Sequence, residues 1–215
     1  MKIYIDTVKI KEIEKVLDTG LISGITTTPT FFARDGYKNP VEFYKKMREV
    51  FDGDIQVEAL GKSVEGIESS IKEILDSGLT NLTFKTPVTW AGIKTVKQYS
   101  SKYKFNVHLV YNVNQAMIAA ESGAQIVCPL MGRYDDYGGD SMRLLLDIKE
   151  TLIANNYDTN VMASSIRHPK HVENAFKAKA DIITIPPKVF WSLLETPLTQ
   201  DGIDKFEKDL ESVSL

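Results

Sequence analysis

The feature that most restricts this chain is a repeated alternation. Short runs rich in β-branched residues are separated, from one end to the other, by longer segments whose apolar residues recur at helical spacing. Such units pack helices over a parallel sheet. The strand candidates are Ile3 to Asp6, Gly24 to Thr27, Ile55 to Ala59, Leu82 to Lys85, Phe105 to Val110, Ile126 to Pro129, Val161 to Ser164 and Ile182 to Ile185. Eight βα units predict an α/β fold closed into a (β/α)8 TIM barrel.

The segments between them read as helices. Ile67, Ile71, Ile74 and Leu75 form one apolar stripe, and Ile93 and Val96 continue the spacing in the next unit. Asp140 or Ser141 is placed to cap a helix running through Ile153. Gly20, Gly78 and Gly123 each follow a helical run and precede a strand, where a left-handed helix terminus favours glycine. A doubly wound open sheet is the alternative. It usually carries a glycine-rich phosphate loop after its first strand, and Asp6-Thr7-Val8 is not one.

With 215 residues and 43% hydrophobic content, the chain can bury one sizeable core, so a single domain over 1–215 is expected. A formal net charge of −3, with charges interspersed, offers no basic surface for nucleic acid. Cys128 is the only cysteine, which rules out an internal disulfide, and it has no metal-ligand spacing with His108, His168 or His171. Neither a dinucleotide nor a pyridoxal signature is present, so no cofactor and no metal are expected. The first residues enter a strand directly and no apolar stretch reaches membrane-spanning length, so a soluble cytoplasmic protein is expected.

In a βα barrel, chemistry sits at the carboxyl ends of the strands. Asp6, Thr27, Thr28, Glu58, Lys85, His108, Arg133, Ser165 and Arg167 all lie at or just beyond such ends. Alternation places Lys85 and Thr83 on one strand face, expected to be the barrel interior. A lysine there is partly desolvated, which lowers its pKa toward the neutral amine that attacks carbonyls; a strand-end lysine otherwise points to solvent. Asp6 and Glu58 supply two carboxylates for proton transfer, or serve as a cap and a surface acid. Arg133 either holds a phosphate or pairs with the acids that follow it. Ser165 and Arg167, two apart, present a hydroxyl and a guanidinium on one side of an extended backbone. His108 shares a face with Asn106 near the barrel mouth, as an acid-base group or a hydrogen-bonded filler. His168 and His171, at a helix start, are read as surface residues.

The ordered set of motifs resembles the small transaldolase and fructose-6-phosphate aldolase family over nearly the whole chain. The matching pieces are Tyr4-Ile5-Asp6-Thr7, Gly24-Ile25-Thr26-Thr27-Thr28-Pro29-Thr30, Lys85-Thr86-Pro87, Gly132-Arg133-Tyr134-Asp135-Asp136 and Ala163-Ser164-Ser165-Ile166-Arg167-His168-Pro169. The resemblance implies a cofactor-free barrel in which Lys85 forms a Schiff base with a ketose phosphate. It implies that Asp6 handles protons on substrate hydroxyls, and that Glu58 holds the catalytic water, as in the transaldolase branch. Glutamine at that position marks the aldolases instead. Arg133, Ser165 and Arg167 fall on phosphate-binding positions. Thr27, Thr28, Asn106 and Cys128 fall around the bound sugar, with His108 joining the catalytic set.

Four residues depart from the family pattern. Thr28 stands in place of asparagine, His108 in place of threonine, Cys128 in place of serine and Leu130 in place of an aromatic residue. They leave three readings open: transfer of a dihydroxyacetone unit, simple aldol cleavage, and a barrel that only binds sugar phosphates. The family also implies rings of five or ten subunits. Residues 199–210, with the stripe Ile203, Phe206 and Leu210, are the candidate helix that packs on a neighbour.

Overall fold

The structure, a computed structural model, describes residues 1–213; residues 214–215 of the expected domain lie outside the described part. In chain order the first half comprises β1 (Lys2–Asp6), α1 (Ile10–Leu17), β2 (Ile22–Thr26), α2 (Pro29–Arg34), α3 (Pro40–Val50), β3 (Asp54–Glu58), α4 (Val64–Asp76), β4 (Leu82–Pro87) and α5 (Trp90–Tyr99). The second half comprises β5 (Lys104–Val110), α6 (Val113–Glu121), β6 (Ile126–Pro129), α7 (Met131–Asp136), α8 (Ser141–Ala154), β7 (Asn160–Ala163), α9 (Pro169–Lys177), β8 (Ile182–Ile185), α10 (Pro187–Ser192) and α11 (Pro197–Glu211).

Every strand pairs in parallel with its sequence neighbours, and β8 closes on β1 through Lys2↔Ile182 to Ile5↔Ile185. The chain is a (β/α)8 TIM barrel, as the eight alternating units predict. All eight expected strands form, with shifts of one or two residues at some ends. The largest, of two residues, are at the start of β2, which begins at Ile22, and at the end of β4, which runs on to Pro87. Asp140, rather than Ser141, caps α8, accepting the Arg143 N–H at 2.9 Å. Gly20, Gly78 and Gly123 have φ of 70°, 83° and 97°, the left-handed termini expected of them.

Strand alternation divides the buried residues into two cores. Ile5, Ile25, Ile55, Val57, Phe84, Phe105, Val107 and Ile183 face outward and join the helix faces in one large cluster. Tyr4, Ile126, Cys128, Met162 and Ile182 form a second, smaller cluster within the barrel. The rest of the interior is polar. The Asn106 amide donates to Gln56 Oε1 at 2.7 Å, the Gln56 amide to Asp54 Oδ2 at 3.2 Å, and the Thr83 hydroxyl to Asp54 Oδ1 at 2.6 Å. These bonds tie β3, β4 and β5 together below the strand ends, satisfying groups that burial would otherwise penalise.

Among the described residues, no helix is long and apolar enough to cross a membrane. The last helix, α11, buries none of its residues, and Leu198, Phe206 and Leu210 are exposed on it.

The interior fits only because β2 has no side chain at Gly24. A Cβ there would stand 2.2 to 2.5 Å from three carbons of the Tyr4 ring. Gly24→Ala is therefore expected to destabilise the fold by about 1–3 kcal/mol through overpacking. Urea unfolding reads this directly, and an unchanged midpoint would mean that the ring does not hold that space.

Candidate active site

A cavity of about 500 Å³ opens at the carboxyl ends of the strands. Of the residues singled out in the sequence, Asp6, Thr28, Glu58, Lys85, His108, Cys128, Arg133, Ser165 and Arg167 line it. Two do not. The side chain of Thr27 is fully buried and hydrogen-bonds the Tyr44 hydroxyl at 2.9 Å, so only its carbonyl faces the centre. Asn106 lies beneath the cavity, bonded to Gln56 and leaving its Oδ1 without a partner.

The centre of the site follows from register. Glu58 and Lys85 are paired Cα positions on neighbouring strands, so both side chains point inward at the same height. Lys85, 6% exposed, donates to Glu58 Oε1 at 2.7 Å and to the Thr27 carbonyl at 2.8 Å. His108 pairs with Pro87 on the next strand and brings its Nε2 to 3.1 Å from Glu58 Oε2. The two atoms are close but poorly aligned, and neither has a hydrogen-bond partner. Beyond His108 the strand bulges at Leu109, whose φ of 61° lies in the left-handed region.

The electrostatics correct one expectation. Burial does push the Lys85 amine down, but the charges of Glu58 and Asp6 outweigh it, and its pKa is raised. The resting side chain is an ammonium, not the free amine that desolvation alone predicts. Glu58 shows the reciprocal effect: burial opposes its charge, yet Lys85 and the contact with His108 hold its carboxyl down at about 2. Asp6 behaves in the opposite way. Burial raises its pKa, only partly offset by Lys85 and by the Thr26 hydroxyl, which donates to Oδ1 at 2.8 Å. Thr184 in turn lies 2.5 Å from the Thr26 hydroxyl. Thr26 and Thr184 line the cavity and were not singled out from the sequence. Strand pairing could have found both, since Thr26 is the register partner of Asp6 and Thr184 that of the inward-facing Tyr4.

Cys128 is buried and its thiol is pushed up to about 11, so it stays protonated at neutral pH. The Thr28 hydroxyl caps α2 by accepting from the Phe31 N–H at 3.4 Å.

The opposite end of the motif set assembles around α7, a short helix not foreseen in the sequence. Arg133 sits on it, without a carboxylate partner among the described residues; the acids that follow it go elsewhere. Asp136 takes Arg167 in a bidentate pair at 2.5 and 2.6 Å. Ser165 has a φ of 56°, and the extended backbone expected there is a tight turn instead. Gly132 permits this turn, because a Cβ would stand 2.5 Å from the Ser165 carbonyl and 2.7 Å from Arg167 Nε. His168 is exposed and caps α9 as a surface residue, but His171 is not at the surface: it is buried, with Nε2 3.1 Å from Asp135 Oδ2. The Asp135 carboxylate of α7 and the His168 ring lie against it. Among the described residues, no group of three or more His, Cys, Asp or Glu is placed to hold a metal.

The Glu58 shift fixes a pH signature. Its folded pKa lies below the ordinary 4.5, so the stability it contributes is present above that value and is lost as pH falls toward about 2. Glu58→Gln should flatten this acid limb in urea unfolding taken across pH 2 to 5. The same variant leaves burial as the main influence on Lys85, so reductive methylation of that amine should move to lower pH. An unmoved methylation profile would show that the pair does not control the lysine.

The sequence profile of the transaldolase/fructose-6-phosphate aldolase family matches residues 3–214. A probable transaldolase from Carboxydothermus hydrogenoformans is 41% identical, the match covering 99% of each chain. One from Nitrosopumilus maritimus is 39% identical over 99% of this chain and 96% of that protein. Among solved structures, a thiamine phosphate pyrophosphorylase from Pyrococcus furiosus superposes with a TM-score of 0.59 at 16% identity, covering 89% of this chain and 93% of that one. That likeness concerns the barrel alone. The full-length profile match and the relatives near 40% identity place the chain in the transaldolase/fructose-6-phosphate aldolase family.

Proposed function

We propose that the protein is a transaldolase that moves a dihydroxyacetone unit between sugar phosphates through a Schiff base on Lys85. The reaction would convert sedoheptulose 7-phosphate and glyceraldehyde 3-phosphate into erythrose 4-phosphate and fructose 6-phosphate, as in the pentose phosphate pathway. The observation that carries this reading is a buried lysine bonded to a buried glutamate, in a cavity that two arginines also line. Probable transaldolase is also the description of the relatives near 40% identity.

Lys85 Nζ first gives a proton to Glu58 Oε1, 2.7 Å away, and the freed amine attacks the ketose carbonyl carbon, leaving a cationic nitrogen and an alkoxide. One proton then passes from that nitrogen to the oxygen, giving the carbinolamine hydroxyl; Glu58 returns the proton it took to this hydroxyl, water leaves, and a protonated imine remains. His108 Nε2, beside Glu58 Oε2, is positioned to share that water. Asp6, whose pKa burial raises, takes the proton from the C4 hydroxyl as the C3–C4 bond breaks. The bonding electrons pass to the iminium, giving an enamine on Lys85 and a free aldose phosphate. A second aldose phosphate accepts the unit by the reverse steps, and water then releases the product. Arg133, Ser165 and Arg167 anchor the phosphate, and that remote binding orients the reacting carbons. Thr28 and Cys128 face the sugar, while Thr27 acts through its carbonyl on Lys85 and Asn106 supports the lysine from below.

Fructose-6-phosphate aldolase activity is the second reading. It is supported by the family match, which takes in both activities. Glutamate rather than glutamine at position 58 weighs for transfer.

We also propose a cytoplasmic homo-oligomer, a pentamer or decamer, in which residues 199–210 pack on a neighbouring subunit. Support comes from Ile203, Phe206 and Leu210, which remain exposed on α11.

Incubation with fructose 6-phosphate and borohydride should leave a reduced adduct on Lys85 and on no other lysine, by peptide mass spectrometry. Lys85→Met should abolish the adduct and lower turnover by at least about a thousandfold. An adduct elsewhere, or none, overturns the mechanism. Release of dihydroxyacetone without an acceptor would favour the aldolase reading. Truncation after Pro197 should lower the mass in light scattering, and an unchanged mass would refute the role of the last helix.

A further inference from the structure

We infer that His171 is a positioning residue: it clips the 165–167 turn to α7 and so sets the affinity for the phosphate end of the substrate. The inference rests on the proposed reading of Arg133, Ser165 and Arg167 as phosphate ligands. His171 itself does not line the cavity, so it acts only through what it holds.

The imidazole is 5% exposed and both its nitrogens are engaged. Nδ1 accepts the Arg167 backbone N–H at 3.3 Å. Nε2 stands 3.1 Å from Asp135 Oδ2. A single neutral tautomer, with the proton on Nε2, satisfies both contacts at once. Burial and the neighbouring His168 lower its pKa against the pull of Asp135, which keeps that tautomer in place. Asp135 is fixed in turn, accepting from the Ser141 N–H at 3.0 Å and from the Ser141 hydroxyl at 2.9 Å. The His168 ring covers the other side, with centroids 3.8 Å apart.

The two segments joined in this way carry all three proposed phosphate ligands. Arg133 belongs to α7, while Ser165 and Arg167 belong to the turn. The turn holds a conformation that a serine seldom adopts, since Ser165 has a φ of 56°. Two backbone bonds, from Met131 N–H to the Ser164 carbonyl and from Gly132 N–H to the Ser165 carbonyl, secure its beginning at 2.9 and 3.1 Å. His171 is what secures its end. Without it, Arg167 remains tethered only by its guanidinium to Asp136, and its backbone is free to move away from Arg133.

Two variants separate positioning from general support. His171→Leu fills the volume and loses both contacts, whereas His171→Asn retains an acceptor near the Nδ1 position. In His171→Leu, KM for fructose 6-phosphate should rise about tenfold with kcat within about twofold. Borohydride trapping of unphosphorylated dihydroxyacetone on Lys85 should be unchanged, and His171→Asn should recover part of the KM. Val172→Ala, a buried change on the same helix, should lower stability and leave KM alone. The inference is overturned if KM is unaffected in His171→Leu, or if kcat, KM and dihydroxyacetone trapping all deteriorate together as stability falls. Calorimetric titration with inorganic phosphate keeps the two readings apart. Phosphate binding about tenfold weaker in His171→Leu supports the clip even if no Schiff base forms, and equal binding in both proteins sinks it even if one does.

Discussion

A buried ammonium is tolerable in this barrel only because a carboxylate on the neighbouring strand faces the same way. Removing Lys85 from water costs several kcal/mol, and the ion pair with Glu58 offsets that cost only when distance and direction are fixed. Strand register fixes both. Glu58 and Lys85 are direct partners across β3 and β4, so pairing those two strands and forming the ion pair are one event. Burial acts on the groups around it: it keeps Asp6 harder to ionise than Glu58 and Cys128 a thiol, while His108 is brought against the outer oxygen of Glu58.

The pair also sets the order in which chemistry can occur. An ammonium is not a nucleophile, so any attack by Lys85 begins with a proton moving to a base that already touches it. Two carboxyl groups of different basicity beside one lysine suit a sequence of separate transfers better than two equal ones would. The difference arises from contacts: Glu58 meets two nitrogen bases, whereas Asp6 meets a threonine hydroxyl that is itself bonded to another.

Much of this was legible in the sequence, because strand alternation has a period of two and needs no tertiary information. Short β-branched runs brought out the eight strands, alternation the inward face of Lys85, and position at strand ends most of the residues around the cavity. The failures have particular causes. The Lys85 ionisation was misjudged because desolvation acts on one residue, whereas the opposing charge comes from a residue 27 positions away. Thr27 was assigned to the cavity because it stands at a strand end, but that position alone does not say which way the side chain turns, and it turns to Tyr44. His171 was read as exposed because nothing local announces that Asp135, 36 positions earlier, will meet it. The turn at Ser165 escaped because a non-glycine residue with positive φ leaves no compositional trace.

Beneath the reactive groups, the bonds linking Asp54, Thr83, Gln56 and Asn106 form a floor made of directional contacts rather than grease. A hydrophobic layer accepts substitutions that keep its volume, but a chain of donors and acceptors does not, since each member lost strands its neighbour away from water. Descendants of this sequence can therefore vary the rim one residue at a time, while the floor can drift only through coordinated exchanges. Diversification of chemistry in such a barrel would begin at the mouth and reach the floor last.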